Sequence, residues 1–528
     1  MHKSIYILFL GIVISMSSCR KDFDTVPSKG NLGFSKQTVY LDTVFSNISS
    51  STYMLKVYNR SSEDISIPSI RLARPGSKYR LMVDGMTGID EDNNGQGDGR
   101  NFPNVELLAK DSLFIFIETT AGISDANPDD FLYTDEILFQ SINGTQQVKL
   151  VTLIQDAVFL YPEKDGNGDK ELLLLGVDEN GADVYVEGFE LNESDPIHGN
   201  EFHFTNEKPY VIYGFAGVPA FKTLVIDAGA RVHFHADSGI IVKQDGNINI
   251  NGMPAIDPGN APLAQEVIFE GDRLEPQFSE TPGQWFSLWL LPGSGTGGSG
   301  NTIEHLTLKN ATVGILADQA PLIINNSQIY NSSNIGLLGR NAVISGKNLV
   351  INTAGKASLA CTAGGNYQFT HCTFNNNWPD PGQVSVLANN YQENADGSKT
   401  FFTLSMASFK NCIIYGSNNV ELFLDPLNDD PNTGFSTNFE HCLVKFNDAG
   451  TGIANDSWYD SVRLSQNGNI KSQNPQFHNP NANNLRIFSD SPAVGLGDPS
   501  YNILQDILGV TRTLPPDSGA YQNSDFAD

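Results

Sequence analysis

The residues in this chain whose types and spacing suit chemistry fall into a ladder, an acidic excursion and an acidic loop. A short pattern ending in His or Asn returns as Ile303-Glu-His-Leu-Thr-Leu-Lys-Asn310, Ile324-Asn-Asn-Ser-Gln-Ile-Tyr-Asn331, Phe369-Thr-His-Cys-Thr-Phe374, Phe409-Lys-Asn-Cys-Ile-Ile414 and Phe439-Glu-His-Cys-Leu-Val444. Strand alternation places His305, Asn326, Lys347, His371, Asn411 and His441 in one outward column. Polar side chains at a rung spacing of about 4.8 Å suit the repeat of an extended glycan. Any solvent-facing ladder has the same appearance, which is the bland alternative.

Catalysis on a polysaccharide needs more. Hydrolysis takes two carboxylates roughly 5–10 Å apart, and the densest local source is Asp425, Asp429 and Asp430 in Leu424-Asp-Pro-Leu-Asn-Asp-Asp-Pro431. Eliminative cleavage needs a strong base beside the sugar and cation-bound carboxylates that acidify the proton removed. Arg340 is the single Arg between residues 301 and 456. No dense acid/base cluster is visible in that region. Trp378, in the turn Asn375-Asn-Asn-Trp-Pro379, is the candidate aromatic platform, whereas Trp285 and Trp289 read as one face of a core strand.

The third group is Asp90-Glu-Asp-Asn-Asn-Gly-Gln-Gly-Asp98. Asp90, Asp92, Asn94 and Asp98 fall at alternate positions around Gly95, as in an EF-hand-type calcium loop, although Asn101 stands where a bidentate carboxylate closes such a site. Calcium is therefore the one cofactor the sequence suggests, against a solvated acidic hairpin. Four cysteines follow residue 19, namely Cys361, Cys372, Cys412 and Cys442, and they read either as disulfide partners or as buried thiols.

The elements that position these residues are strands. Aligning the repeat gives an inward column Leu306, Ser327, Asn348, Cys372, Cys412 and Cys442, and a second, Leu308, Ile329, Val350, Phe374, Ile414 and Val444. A strand returning every 20–30 residues marks stacked coils, each burying its inward face against the next. Further β runs extend upstream, including Thr223-Leu-Val-Ile-Asp227 and Val267-Ile-Phe269, and no amphipathic helical pattern separates them.

Before residue 158 the texture differs. Thr38-Val-Tyr-Leu41, Tyr53-Met-Leu-Lys-Val-Tyr58, Leu113-Phe-Ile-Phe-Ile117 and Val148-Lys-Leu-Val-Thr-Leu153 are strands bounded by turn signals. The expected fold is thus all-β: an immunoglobulin-like β-sandwich over residues 34–157, then a parallel β-helix over 158–528.

Charge and the N-terminus narrow the setting. The chain of 528 residues carries 60 acidic and 32 basic residues, a formal charge of −28, which argues against nucleic acid as a partner. Lys3 precedes an apolar run, Ile5 to Ile14, too short to span a bilayer. It ends in Ser15-Met-Ser-Ser-Cys19, which resembles a bacterial lipobox, implying a signal peptide over 1–18, lipidation of Cys19, and a tether over 19–33. Arg20-Lys-Asp-Phe-Asp24 is similar to the charged signal that sends lipoproteins of the Bacteroidetes to the cell surface. The implied location is the outer membrane, anchored by lipid and exposed outside.

The segments Thr223 to Phe234, Val267-Ile-Phe-Glu-Gly271, Asn301 to Ala311, Ser491-Pro-Ala-Val-Gly-Leu-Gly-Asp498 and Pro516-Asp-Ser-Gly-Ala-Tyr521 resemble right-handed parallel β-helix surface lipoproteins of that group. The resemblance covers most of residues 200–523 and implies that the β-helix over 158–528 is right-handed and ends in a C-terminal cap; it implies fold and export more than activity, since the superfold hosts lyases, hydrolases and binding modules. The catalytic motifs of polygalacturonases are absent. The expectation is a non-catalytic binding module for extracellular glycan or a surface partner, with a polysaccharide lyase or glycoside hydrolase as the alternative.

Overall fold

The computed structural model describes residues 24–91, 93–127, 131–177, 181–254, 265–297, 300–394, 396–427 and 434–524. Cys19, the leader, Asp92, Asp429 and Asp430 lie outside them. The fold is all-β with extensive parallel sheets, and the chain divides into two compact units between Asp156 and Ala157. Among the described residues no helix is long and apolar enough to cross a membrane.

In the first unit, one sheet contains Ile65–Leu72, Asn101–Leu107, Leu132–Ser141, Gly144–Gln155 and Thr38–Phe45, and the other contains Tyr53–Tyr58, Ser112–Thr119 and Tyr79–Val83. Strict alternation of buried and open positions, as along Leu132–Ser141, gives each sheet one apolar face. These faces share one core, with Val39, Ile67, Ile137 and Leu150 from one sheet and Val57, Leu81, Ile115 and Ile117 from the other. Tyr79 lies inside this core, its hydroxyl donating to the Tyr133 carbonyl at 2.8 Å. The tether expectation needs correction at its C-terminal end. Val26–Pro27 pairs with Ile65 and Ser66, Gly33–Phe34 pairs with Tyr58 and Val57, and Leu32 is buried. Backbone pairing, invisible in a Pro/Gly-rich composition, takes this stretch into the sheets.

The second unit carries two long sheets. The first runs through Val158–Leu160, Tyr210–Ile212, Arg231–Phe234, Val267–Gly271, Leu306–Lys309, Gln328–Ser332, Val350–Ala354, Thr373–Asn376, Ile413–Gly416, Leu443–Val444 and Ile470–Lys471, each strand parallel to the next. Strands between these in sequence form the second sheet, parallel throughout except for the opening hairpin of Leu172–Val177 with Asp183–Glu190, while Tyr391–Glu393 and Lys399–Phe401 make a separate antiparallel hairpin.

Repeating side chains stack at the rung spacing. Phe369, Phe409 and Phe439 lie ring over ring at 5.5 and 5.1 Å. Burying each such ring contributes roughly 2–3 kcal/mol. Cys372, Cys412 and Cys442 occupy one inward column as free, fully buried thiols. Register corrects the alignment at one coil. Ile351, not Val350, pairs with Ile329 and Phe374, so the column reads Leu308, Ile329, Ile351, Phe374, Ile414 and Val444. That coil is one residue longer than equal steps suggest, and Leu349 rather than Asn348 joins the central core.

Candidate functional site

The polar column is a line of corners, not a solvent-facing ladder. His305, Asn326, Asn348, His371, Asn411 and His441 have φ between 47° and 53°, each joining a strand of the second sheet to one of the first. Asn tolerates this left-handed conformation better than most residues, and His is also enriched there. Asn348 takes the place expected for Lys347. The outward reading of His371 and Asn411 is corrected as well, because both are fully buried.

The C-terminal segment covers them. Asn411 donates to the Asp498 carbonyl at 3.1 Å and accepts from its N–H at 2.8 Å. The Leu496 carbonyl lies 2.8 Å from His441 Nδ1, and the Ser518 hydroxyl donates to the His441 carbonyl. Arg512 reaches in to Asn348 Oδ1 at 2.9 Å. Burial, reinforced by the Arg512 charge, pulls the His371 imidazole down to about 3. His305 is partly buried, and burial lowers its pKa as well, against the opposing pull of Glu304. Asn348, Asn411 and His441 are thus bonded by the chain's own end, His371 by Asn411, and Asn326 by Glu304 and Asn348.

The other candidates are dispersed. Arg340 pairs with Asp318 at 2.8 Å, its register partner one coil away. Asp425 accepts from the Tyr391 hydroxyl. In the acidic loop, Asp90 accepts from the N–H groups of Asn94 and Gly95, and Asp98 accepts from that of Glu91. Gly95 has φ of 89°, which suits the turn. Trp378 is half-buried, its backbone N–H donating to Asn376 Oδ1. Trp285 and Trp289 do not share a face: Trp285 stacks on Phe234 in the central core, and Trp289 packs against Phe286 in a separate cluster.

Sequence reasoning missed a charged face near the start of the second unit. Glu270 lies 3.7 Å from His233 and 2.8 Å from Lys309, while Asp272 lies 2.7 Å from His235. Glu270 and Asp272 are two residues apart, about 7 Å along the chain. The signal was present in Val232-His-Phe-His235 and Phe269-Glu-Gly-Asp272, but their pairing depends on strands 37 residues apart meeting in register.

It also missed a cleft of about 360 Å³. Amides line it from Asn375, Asn377, Asn474 and Gln476, and rings from Tyr415, Phe477 and Phe488, with Pro480 completing the wall. Asn375 and Tyr415 are register partners on adjacent strands. Tyr415 meets Phe477 edge to face at 6.2 Å, and Lys445 Nζ lies 4.6 Å from the centre of the tyrosine ring. Asn375 donates to Asn352 Oδ1 at 2.7 Å, and Asn352 in turn to the Pro480 carbonyl, so the floor is held by an amide chain. None of the residues lining the cleft is a carboxylate. Amides offer paired donors and acceptors and rings offer apolar faces, a combination that suits a polyhydroxylated ligand and supplies no general acid.

No protein-family model matches the sequence. No curated protein matches it either. A solved structure with local similarity is that of a family 123 glycoside hydrolase from Clostridium perfringens, described for glycolipid glycan hydrolysis. It is 6% identical, the match covers 28% of this chain and 39% of that one, and the TM-score is 0.17. A likeness of that size carries no argument about fold or activity.

Proposed function

We propose that this protein is a lipid-anchored outer-membrane protein exposed on the cell surface, in which an immunoglobulin-like sandwich precedes a right-handed parallel β-helix that binds extracellular glycan without cleaving it. The observation that carries this reading is the cleft of Asn375, Asn377, Asn474, Gln476, Tyr415, Phe477 and Phe488, whose lining includes no carboxylate. The ligand contacts are thus assigned to this cleft in place of the corner residues and Trp378. Calcium in the Asp90–Asp98 loop belongs to the same reading as an element of the first unit, apart from recognition.

The test is a panel of plant, algal and host polysaccharides offered to the chain from Asp24 onward, with binding and released oligosaccharides both recorded. Tyr415→Ala removes one ring face and is expected to weaken binding by about tenfold, in line with roughly 1–1.5 kcal/mol for an aromatic contact. Polysaccharide cleavage is the second reading, favoured by two carboxylates, Glu270 and Asp272, each beside a histidine. Oligosaccharide release that disappears in Glu270→Gln would establish it.

A further inference from the structure

The loop between Leu191 and Phe202 holds a group that no part of the glycan reading uses. Asp195, His198 and Glu201 each bring one ligand-type atom within 4.8 Å of the others. His198 Nδ1 lies 3.3 Å from Asp195 Oδ1 and 3.1 Å from Glu201 Oε1. A single ring N–H satisfies one acceptor, yet two carboxylate oxygens converge on this nitrogen. The other short histidine–carboxylate pairs of this unit look different: His203 with Asp227 and His235 with Asp272 each close to 2.7 Å, an ordinary charge-assisted distance. The 3.1 Å between His198 Nδ1 and Glu201 Oε1 is instead close to the edge, about 3.3 Å, of a tetrahedron of ligands whose bonds to a central ion are about 2.0–2.1 Å.

The donors are held in place before any ion arrives. Glu201 is 8% exposed, and its Oε2 accepts from the Asn192 N–H at 2.9 Å, which leaves Oε1 facing the histidine. Asp195 Oδ1 accepts from the N–H groups of Ile197 and His198, both at 2.8 Å, which leaves Oδ2 as the oxygen for an ion, and the backbones of Asp195 and Gly199 close on each other through two hydrogen bonds. Orientation of ligating groups by outer hydrogen bonds of this kind is what raises metal affinity.

A second observation comes from the rim beside it. Asn200, Phe202 and His203, at the end of the loop, form part of a cavity of about 360 Å³ with Phe221 and Lys222. Phe221 is 83% exposed and has φ of 64°. A bulky residue in that conformation costs roughly 1–3 kcal/mol, and no burial of its ring compensates.

We propose that Asp195, His198 and Glu201 bind a divalent transition ion of the zinc type, with a fourth position for water, and that the ion fixes the loop forming one wall of the Phe221 cavity. An imidazole with two single-oxygen carboxylates suits zinc rather than calcium, which takes six or more oxygens.

The test uses the full chain, prepared without a histidine tag and stripped with chelator, then titrated with zinc and with cobalt. The expected result is one equivalent bound, the visible absorption of tetrahedral cobalt, and a zinc-dependent rise in melting temperature. His198→Ala and Glu201→Gln should each weaken binding by at least about tenfold, and His203→Ala should leave it unchanged. Absence of zinc uptake by the parent chain would overturn the proposal, as would equal uptake by His198→Ala. Glu201→Gln keeps the side-chain shape, so a loss there with an unchanged metal-free melting temperature separates ligation from folding.

Discussion

The Asn411 side chain donates to His371 Nε2 at 3.0 Å while its oxygen accepts the Asp498 N–H at 2.8 Å, so one buried amide joins two corners of the stack to the C-terminal segment. Replacing Asn411 by Ala strips a partner from both groups. A buried unsatisfied polar group costs about 1–3 kcal/mol, and the variant should lose roughly that much stability or more in urea unfolding. Early proteolysis of the 496–523 segment should accompany the loss.

His371 adds a pH signature. Burial first, then Arg512, holds its folded-state pKa at about 3, against 6.5 for the ordinary group. Above pH 6.5 the ring is neutral folded or unfolded and makes no difference. As pH falls below 6.5 the unfolded chain takes up a proton that the folded chain refuses, and stability is lost progressively toward pH 3. His371→Asn should therefore flatten the acid limb of the stability curve, by at most about 1.4 kcal/mol per pH unit. Parallel unfolding titrations from pH 7 to pH 5 measure this.

Glu421 works in the opposite sense. Its fully buried carboxylate accepts from the N–H groups of Ser385 and Asn418 and from Gln383, yet burial raises its pKa from 4.5 to about 7. Between pH 4.5 and 7 the folded protein holds a proton that the unfolded chain releases. Stability from this group is complete below pH 4.5 and fades as pH rises through 7. Glu421→Gln cannot lose a proton, so the parent chain should lose stability relative to this variant over that window. The same unfolding assay reads both substitutions.

The thiols make a chemical prediction. Cys361, Cys372, Cys412 and Cys442 are free and fully buried, and desolvation raises the pKa of Cys361, Cys412 and Cys442. A thiol reagent should label none of them in the native chain from Asp24 onward and all four in denaturant, without prior reduction. Native labelling of Cys412 would show that the central column opens.

The strand repeat was legible because Phe369, Phe409 and Phe439 recur beside His or Asn at a fixed offset. Fixed spacing did not reveal that the offset residue is a left-handed corner, since alternation arguments assume an unbroken strand. This is why His371 and Asn411 read as outward. The extra residue in the coil ending at Asn348 escaped for a related reason: Leu349, Val350 and Ile351 are all apolar, and pattern alone cannot choose among them. The cleft was hidden by distance, because Tyr415 lies in the repeat whereas Phe477 and Phe488 arrive from a segment more than 60 residues later. Glu270 and His233 became visible as a pair only through register.

The most direct measurement is glycan binding and product release recorded on the same samples, for the parent chain from Asp24 onward, Tyr415→Ala and Glu270→Gln. The account predicts saturable binding of at least one polysaccharide, about tenfold weaker for Tyr415→Ala, unchanged for Glu270→Gln, and no oligosaccharides released. Released oligosaccharides that vanish in Glu270→Gln, or binding indifferent to Tyr415→Ala, would contradict it.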